Sequence, residues 1–279
     1  MARKRKSQIF EREEEQQPPP KKARPTETSL PEGVHHYEAL EEVPWDLQKY
    51  WQQGYSIFSK YDDGIWMTDD AWYGVTHESV ANKIAQHVAE TVSNSKSIII
   101  DAFCGVGGNT IAFALSGKWK RVYAIEKDAA TLACAKHNAE IYGVSDRITW
   151  FHGDCFEILG VVQKEKVTVD ALKAIVGQFG VIFASPPWGG PGYRDAEVFN
   201  LESMEPYSFS HLYKSFKAVT SDIILYLPRT SDLRQIAKIV EGSKDAGSKT
   251  EVVHYCTNGT SRALCVYIGN WSRLTLSDV

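Results

Sequence analysis

Between Ser97 and Ile268 the chain alternates short apolar runs with longer segments whose apolar residues recur every three or four positions. Ile98-Ile99-Ile100, Val122-Tyr123-Ala124-Ile125, Ile148-Thr149-Trp150-Phe151, Gly180-Val181-Ile182-Phe183 and Ile223-Ile224-Leu225-Tyr226-Leu227 read as strands buried on both faces. Helices are predicted between them: Ile111 to Ser116, about Asp128 to Tyr142 with Asp128 as N-cap, a stretch near 168–176, and His211 to Val219. Strand, glycine turn and helix in repeated succession is the pattern of a mainly parallel, doubly wound α/β sheet. After a further helix from Asp232 to Val240, Val252–Tyr255 and Leu264–Ile268 flank an Asn258-Gly259 turn. They read as an antiparallel hairpin that completes a seven-stranded sheet.

Upstream the pattern changes. Trp45, Leu47, Tyr50, Trp51, Tyr55 and Phe58 fall at spacings near three and four, as one amphipathic helix through Tyr61 requires, with Lys49 and Lys60 among them. Asp62-Asp63-Gly64 is a turn signal, and Thr76 is expected to cap a helix running to about Val92. Residues 35–95 therefore read as a helical extension that covers a site on the main sheet, with a purely structural aromatic cluster as the plain alternative for most of these rings, and 96–279 as the main domain. Residues 1–34 are low in aliphatic content and carry the clusters Arg3-Lys4-Arg5-Lys6 and Lys21-Lys22-Ala23-Arg24. Such a segment is expected to be disordered: either a solvated tail or a nuclear import signal that also makes loose RNA contacts.

Charge sharpens this division. The net charge is -4, but residues 1–25 hold eight Lys/Arg against four Asp/Glu, leaving 23 against 31 for the rest. Nucleic-acid binding by the acidic remainder must use a local patch or the tail. Five cysteines without C-x-x-C spacing suit a reducing compartment and argue against a zinc site. No apolar run approaches the twenty residues of a membrane span, and a soluble protein is expected.

The candidate chemistry lies at strand ends. Ser185-Pro186-Pro187-Trp188 follows the fourth strand, where two prolines stop the ladder and make a rigid turn. In open α/β sheets ligands bind at that carboxyl edge. A hydroxyl and a carbonyl held beside an indole suit methyl transfer to an exocyclic ring amine, whose delocalised lone pair makes it a weak nucleophile. The Ser185 hydroxyl and the Pro186 carbonyl would hold the N–H groups while Trp188 stacks on the base. An ordinary Pro-rich loop is the plain alternative.

The turn after the first strand, Asp101-Ala102-Phe103-Cys104-Gly105-Val106-Gly107-Gly108-Asn109-Thr110, lacks the third glycine of a dinucleotide fingerprint, Thr110 standing in its place. A carboxylate before the glycines would repel a pyrophosphate but suits the ammonium of a methionine-like tail. Glu126 ends the second strand, placed for ribose hydroxyls, and Asp154 follows the third, placed for an adenine amine. Three acids at successive strand ends with close-approach glycines point to S-adenosylmethionine. Each acid taken singly could equally be an exposed strand end.

Taken together, Asp101–Thr110, Ser185–Pro191 and the segment Lys49-Tyr50-Trp51, Phe58 to Gly64, Trp72 and Val75-Thr76 resemble the trimethylguanosine synthases over roughly residues 40–270. The resemblance implies a class I (Rossmann-like) methyltransferase fold with a terminal antiparallel hairpin and a small N-terminal helical subdomain. It implies conversion of the 7-methylguanosine cap of small nuclear and nucleolar RNAs to 2,2,7-trimethylguanosine in two methyl transfers. Thr76, Asp101, Phe103, Gly105, Gly107, Asn109, Thr110, Glu126, Asp154 and Ser185 would bind the donor. Ser185, Pro186 and Trp188 would hold the acceptor, Lys49, Tyr193 and Arg229 would take the cap phosphates, and Phe58 would belong to a lid over donor and cap. Glu126 stands where Asp is expected and Trp66 where Lys is expected. No metal is implied. A monomer is expected, in the nucleus with the nucleolus favoured and the cytoplasm as a second location, meeting ribonucleoprotein partners through the basic tail. Two other functions use the same residues: adenine-N6 methylation of RNA or DNA, and cap binding without catalysis.

Overall fold

The computed structural model describes residues 30–160, 174–178, 180–190, 196–241, 249–257 and 260–272. Residues 1–29 of the expected tail, most of the predicted 168–176 helix, the Asn258-Gly259 turn and Tyr193 lie outside the described residues. Val34, expected in the tail, is instead buried in the core and donates from N to Pro31 O at 3.0 Å. The rest of the fold belongs to one compact unit, Pro31–Val279.

Seven strands form one sheet in the order β3-β2-β1-β4-β5-β7-β6. They are β1 (Ile98–Asp101), β2 (Arg121–Glu126), β3 (Ile148–His152), β4 (Gly180–Ala184), β5 (Ile223–Pro228), β6 (Lys249–Thr257) and β7 (Thr260–Gly269). The first five are parallel; β7 runs antiparallel to both β5 and β6, giving the expected terminal hairpin. The apolar runs are continuous because both faces are covered. Ile99, Val181, Phe183 and Ile224 enter one core cluster, whereas Ile98, Ile100, Ile182 and Leu225 enter the other, as a period of two requires.

Before the sheet come three single helical turns, α1 (Gln48–Trp51), α2 (Gly54–Ile57) and α3 (Ala71–Gly74), then α4 (Glu78–Thr91). The sheet helices are α5 (Gly108–Leu115), α6 (Ala129–Ile141), α7 (Cys155–Ile158), α8 (Phe209–Lys217) and α9 (Leu233–Glu241). Asp128 caps α6 as expected, accepting from Thr131 N at 2.7 Å. Ser208 caps α8, which starts two residues before the predicted His211.

Two local readings are corrected. The single helix expected from Trp45 to Tyr61 is broken at Gln52-Gln53, and Trp45 and Tyr55 are 86% and 62% exposed. The chain folds back so that the Tyr61 ring packs on Gly54, 3.5 Å from where a Cβ would sit. Trp51 Nε1 and Tyr61 Oη both donate to Tyr37 O at 3.1 Å. Helix α4 is preceded by His77, not capped by Thr76, and has no side-chain cap bond. The Thr76 hydroxyl accepts instead from Asn109 Nδ2 at 2.9 Å. The Glu78 carboxylate accepts from Ser59 N, Ser59 Oγ and Tyr142 Oη at 2.6, 2.9 and 2.6 Å, fastening the folded-back segment to α4 and α6.

Candidate methyl-donor and acceptor site

Strands β1 and β4 are neighbours, with Asp101 opposite Phe183 and Ala102 N donating to Phe183 O at 2.9 Å. This register brings the glycine turn beside the Ser185-Pro186-Pro187-Trp188 turn, although the two lie far apart in sequence. Gly107 has φ +97°, and a Cβ there would stand 3.3 Å from Ala135 Cα, so only glycine lets the turn lie against α6. Buried Asn138 fixes the turn from below: its Nδ2 donates to Val106 O at 3.0 Å and Trp66 O at 2.9 Å, while its Oδ1 accepts from Trp66 N at 2.8 Å.

Asp101 is 1% exposed, and Thr110 Oγ1 donates to its Oδ2 at 2.6 Å. Its other oxygen, like the Oδ1 of buried Asn109, is enclosed without a hydrogen-bond partner. Burial pushes the Asp101 carboxyl up to about 7, against the downward pull of the Thr110 hydroxyl and the Phe103 amide, and Glu126 adds repulsion. Glu126 accepts from Gly105 N at 3.0 Å through Oε2 and from Lys127 N and Asp128 N at 2.8 and 2.9 Å through Oε1. The backbone therefore orients this acid, and Oε2 is the oxygen with more acceptor capacity to spare. Asp154 caps α7, its Oδ1 accepting from Phe156 N and Glu157 N. Tyr207 Oη donates to its Oδ2 at 3.0 Å.

On the acceptor side, half-buried Trp188 donates from Nε1 to Tyr226 O at 3.3 Å. Its ring is stacked on that of Tyr226, centroids 5.8 Å apart at 25°. Pro186 is buried and Ser185 half-buried beside it. Arg229, exposed just past β5, donates to Ser261 O at 3.4 Å and borders an open groove of about 490 Å³ with Arg234 and His254. Lys49 is exposed, its Nζ 4.8 Å from the Tyr50 ring centroid. Phe58, expected in a lid, is 2% exposed and enclosed with Ile57, Glu78, Gly108 and Tyr142 around a small cavity. Its ring packs the extension against α4–α6. Tyr193 lies outside the described residues.

The model of the RNA cap guanine-N2 methyltransferase family matches residues 96–271. Trimethylguanosine synthase of Schizosaccharomyces pombe is 38% identical over 226 residues, 81% of this chain and 87% of its own length. The chain belongs to the trimethylguanosine synthase family. The Saccharomyces cerevisiae trimethylguanosine synthase is 34% identical over 220 residues, 78% of this chain and 66% of its own. A solved structure from Porphyromonas gingivalis W83, described as a methyltransferase, has a TM-score of 0.57 at 14% identity, covering 82% of this chain and 51% of that one. At that identity the likeness is one of fold.

A trimethylguanosine synthase takes its methyl group from S-adenosylmethionine, and the residues present fit that donor. The partnerless oxygens of Asp101 and Asn109, enclosed beside the glycine turn, match an ammonium that needs acceptors. A bound cation there offsets the desolvation that holds the Asp101 proton. The Trp66 departure is explained by packing: its ring stacks on His137 at 3.8 Å and 9°, and His137 Nε2 donates to Gly64 O. Pattern reading missed Tyr207 and Tyr226, which touch Asp154 and Trp188 from later loops and strands. Burial pushes the Cys104 and Cys155 thiols up, so neither is set up as a nucleophile. Among the described residues no cluster of three His, Cys, Asp or Glu side chains is arranged for a metal ion. None of their helices is long and apolar enough to cross a membrane.

Proposed function

We propose that this chain methylates the N2 amine of a 7-methylguanosine RNA cap, twice, to give 2,2,7-trimethylguanosine. The observation that carries the reading is the β1–β4 register. It sets a buried, partly unpartnered carboxylate beside the Ser-Pro-Pro-Trp turn, which supports a donor on the first and a base on the second.

S-adenosylmethionine supplies an electrophilic methyl group on a sulfonium. Around it, Asp101 takes the ammonium, with Phe103 and the glycine turn alongside. Glu126 Oε2 receives ribose, and Asp154 receives the adenine amine. Ser185 and the Pro186 carbonyl would hold the N2 hydrogens and leave the lone pair free toward the donor. Trp188, braced from behind by Tyr226, stacks on the 7-methylguanine. The positive charge of the methylated ring strengthens attraction to the indole, which favours 7-methylguanosine over guanosine. Arg229 and Lys49 take cap phosphates, the former through paired hydrogen bonds. A neutral amine attacking a sulfonium needs orientation more than a strong base. The new ammonium then loses its proton to water, and no side chain is assigned as general base.

The same reading extends to selection of small nuclear and nucleolar RNAs, a monomeric enzyme and nuclear residence directed by the basic tail, which also meets ribonucleoprotein partners. Residues 35–95 serve as the extension that closes over the site.

The test is transfer of labelled methyl groups to three substrates: a 7-methylguanosine cap analogue, an unmethylated guanosine cap and uncapped adenosine-rich RNA. Labelling of the first alone, lost in Trp188→Ala, is expected. Labelling of the adenosine-rich RNA, or equal labelling of both caps, overturns the assignment.

A further inference from the structure

The donor site contains a residue that no strand-end pattern marks. Tyr207 lies in the segment leading into α8 and donates its hydroxyl to Asp154 Oδ2 at 3.0 Å. The other oxygen accepts from Phe156 N at 2.9 Å and Glu157 N at 3.3 Å. An ionised carboxylate offers about four acceptor positions. These three bonds leave one, on Oδ2. The Tyr207 ring belongs to a cluster of three: Phe103 lies 6.5 Å from Phe156 and 6.1 Å from Tyr207, and Phe156 lies 4.9 Å from Tyr207 edge to face. His211 stacks on the Tyr207 ring, centroids 5.6 Å apart at 16°. An aromatic cluster with one acceptor position to spare suits a flat base that presents one N–H.

We infer that Tyr207 is a positioning residue of the donor site, turning Asp154 so that its last lone pair reads the 6-amino group of the donor's adenine. The inference rests on the assignment of Asp154 to the adenine. A purine with hydrogen in place of that amine leaves the lone pair facing a C–H, and the half-buried acceptor, covered by the base, goes unpaired. The phenol remains a donor throughout the working range, since burial and Asp154 push it up to about 12.

Calorimetry tests this without RNA, using S-adenosylhomocysteine and its 6-H purine analogue on the full chain. The wild type is expected to prefer the amino compound by about tenfold or more. Tyr207→Phe keeps the ring; it should weaken S-adenosylhomocysteine by roughly five- to tenfold and shrink the preference toward twofold. KM for S-adenosylmethionine should rise in step, with kcat and KM for the cap analogue unchanged. Asp154→Asn retains a good helix cap. In that background Tyr207→Phe should change the preference no further. An unchanged preference in Tyr207→Phe, additive losses in the double variant, or a fall in kcat without a rise in donor KM would each overturn the inference. If the cap assignment fails instead, methyl transfer to the cap analogue is absent while these donor affinities still read Tyr207.

Discussion

Asp101→Asn separates what the donor site does for binding from what it costs the fold. The wild-type carboxyl goes from 3.8 to about 7, chiefly through burial. An acid that holds its proton more tightly when folded stabilises the fold fully below about pH 4. That stability is lost as pH rises toward 7. At about 1.4 kcal/mol for each tenfold change in proton affinity, the full difference is roughly 4 kcal/mol. Asparagine has no proton to lose, and its carbonyl can still accept from Thr110 Oγ1 at the position now bonded at 2.6 Å. Its amide hydrogens find less, so a net gain of roughly 2–3 kcal/mol at pH 8 is expected for the donor-free variant. In a domain of this size that is about 4–12 °C in Tm. At pH 5 the advantage should shrink, because the wild type is then mostly protonated.

Binding should move the opposite way. Only the ionised form takes an ammonium, so wild-type affinity for S-adenosylhomocysteine should climb about tenfold per pH unit from 5.5 toward 7 and then level off. The Asn variant should bind roughly a hundredfold more weakly at pH 8 and show no slope in that window. Thermal melts at pH 5 and 8 and calorimetric titrations across the range read the two effects separately. A flat wild-type affinity between pH 5.5 and 7, or an Asn variant no more stable than wild type at pH 8, would refute the reasoning.

Three further substitutions test the frame around the site. Gly107→Ala places a β-carbon at φ +97° and 3.3 Å from Ala135 Cα; it should cost about 1–3 kcal/mol and weaken S-adenosylhomocysteine binding, and unaltered urea unfolding would count against it. Lys96 pairs with Asp222 at 2.8 Å, both side chains being largely buried. Lys96→Ala should cost about 3 kcal/mol by leaving a buried charge unpaired, with kcat unchanged at 20 °C; a loss below 1 kcal/mol would show that Ser221 and Asn270 satisfy Asp222 alone. Glu78→Ala frees Ser59 and Tyr142, and limited proteolysis should then cut between α2 and α3 faster than in wild type, whereas an equal rate would mean that ring packing alone holds this segment.

What could be read in advance follows from how each contact is encoded. The β strands were legible because a sheet covered on both faces demands uninterrupted apolar runs, and Ile98–Ile100 or Ile223–Leu227 have few other uses. The gathering of Asp101, Glu126 and Asp154 at one sheet edge was legible because parallel topology alone carries successive strand ends there. The folded-back segment was not legible because two single turns either side of Gln52-Gln53 reproduce the spacing of one helix, and contacts with residues outside that spacing, such as Tyr37 O and Glu78, hold the turns apart. Thr76 looks like a cap by composition, yet its hydroxyl serves Asn109, 33 residues away. Tyr207 and Tyr226 could not be found from spacing, lying 53 and 38 residues from the groups they touch and arriving on segments whose placement only the folded sheet decides. The division has a physical reason. Residues that bind the invariant parts of a ligand can sit where topology puts them. The amides that orient Glu126 and Asp154 travel with the strand end itself, whereas Tyr207 and Tyr226 meet Asp154 and Trp188 from elements remote in sequence.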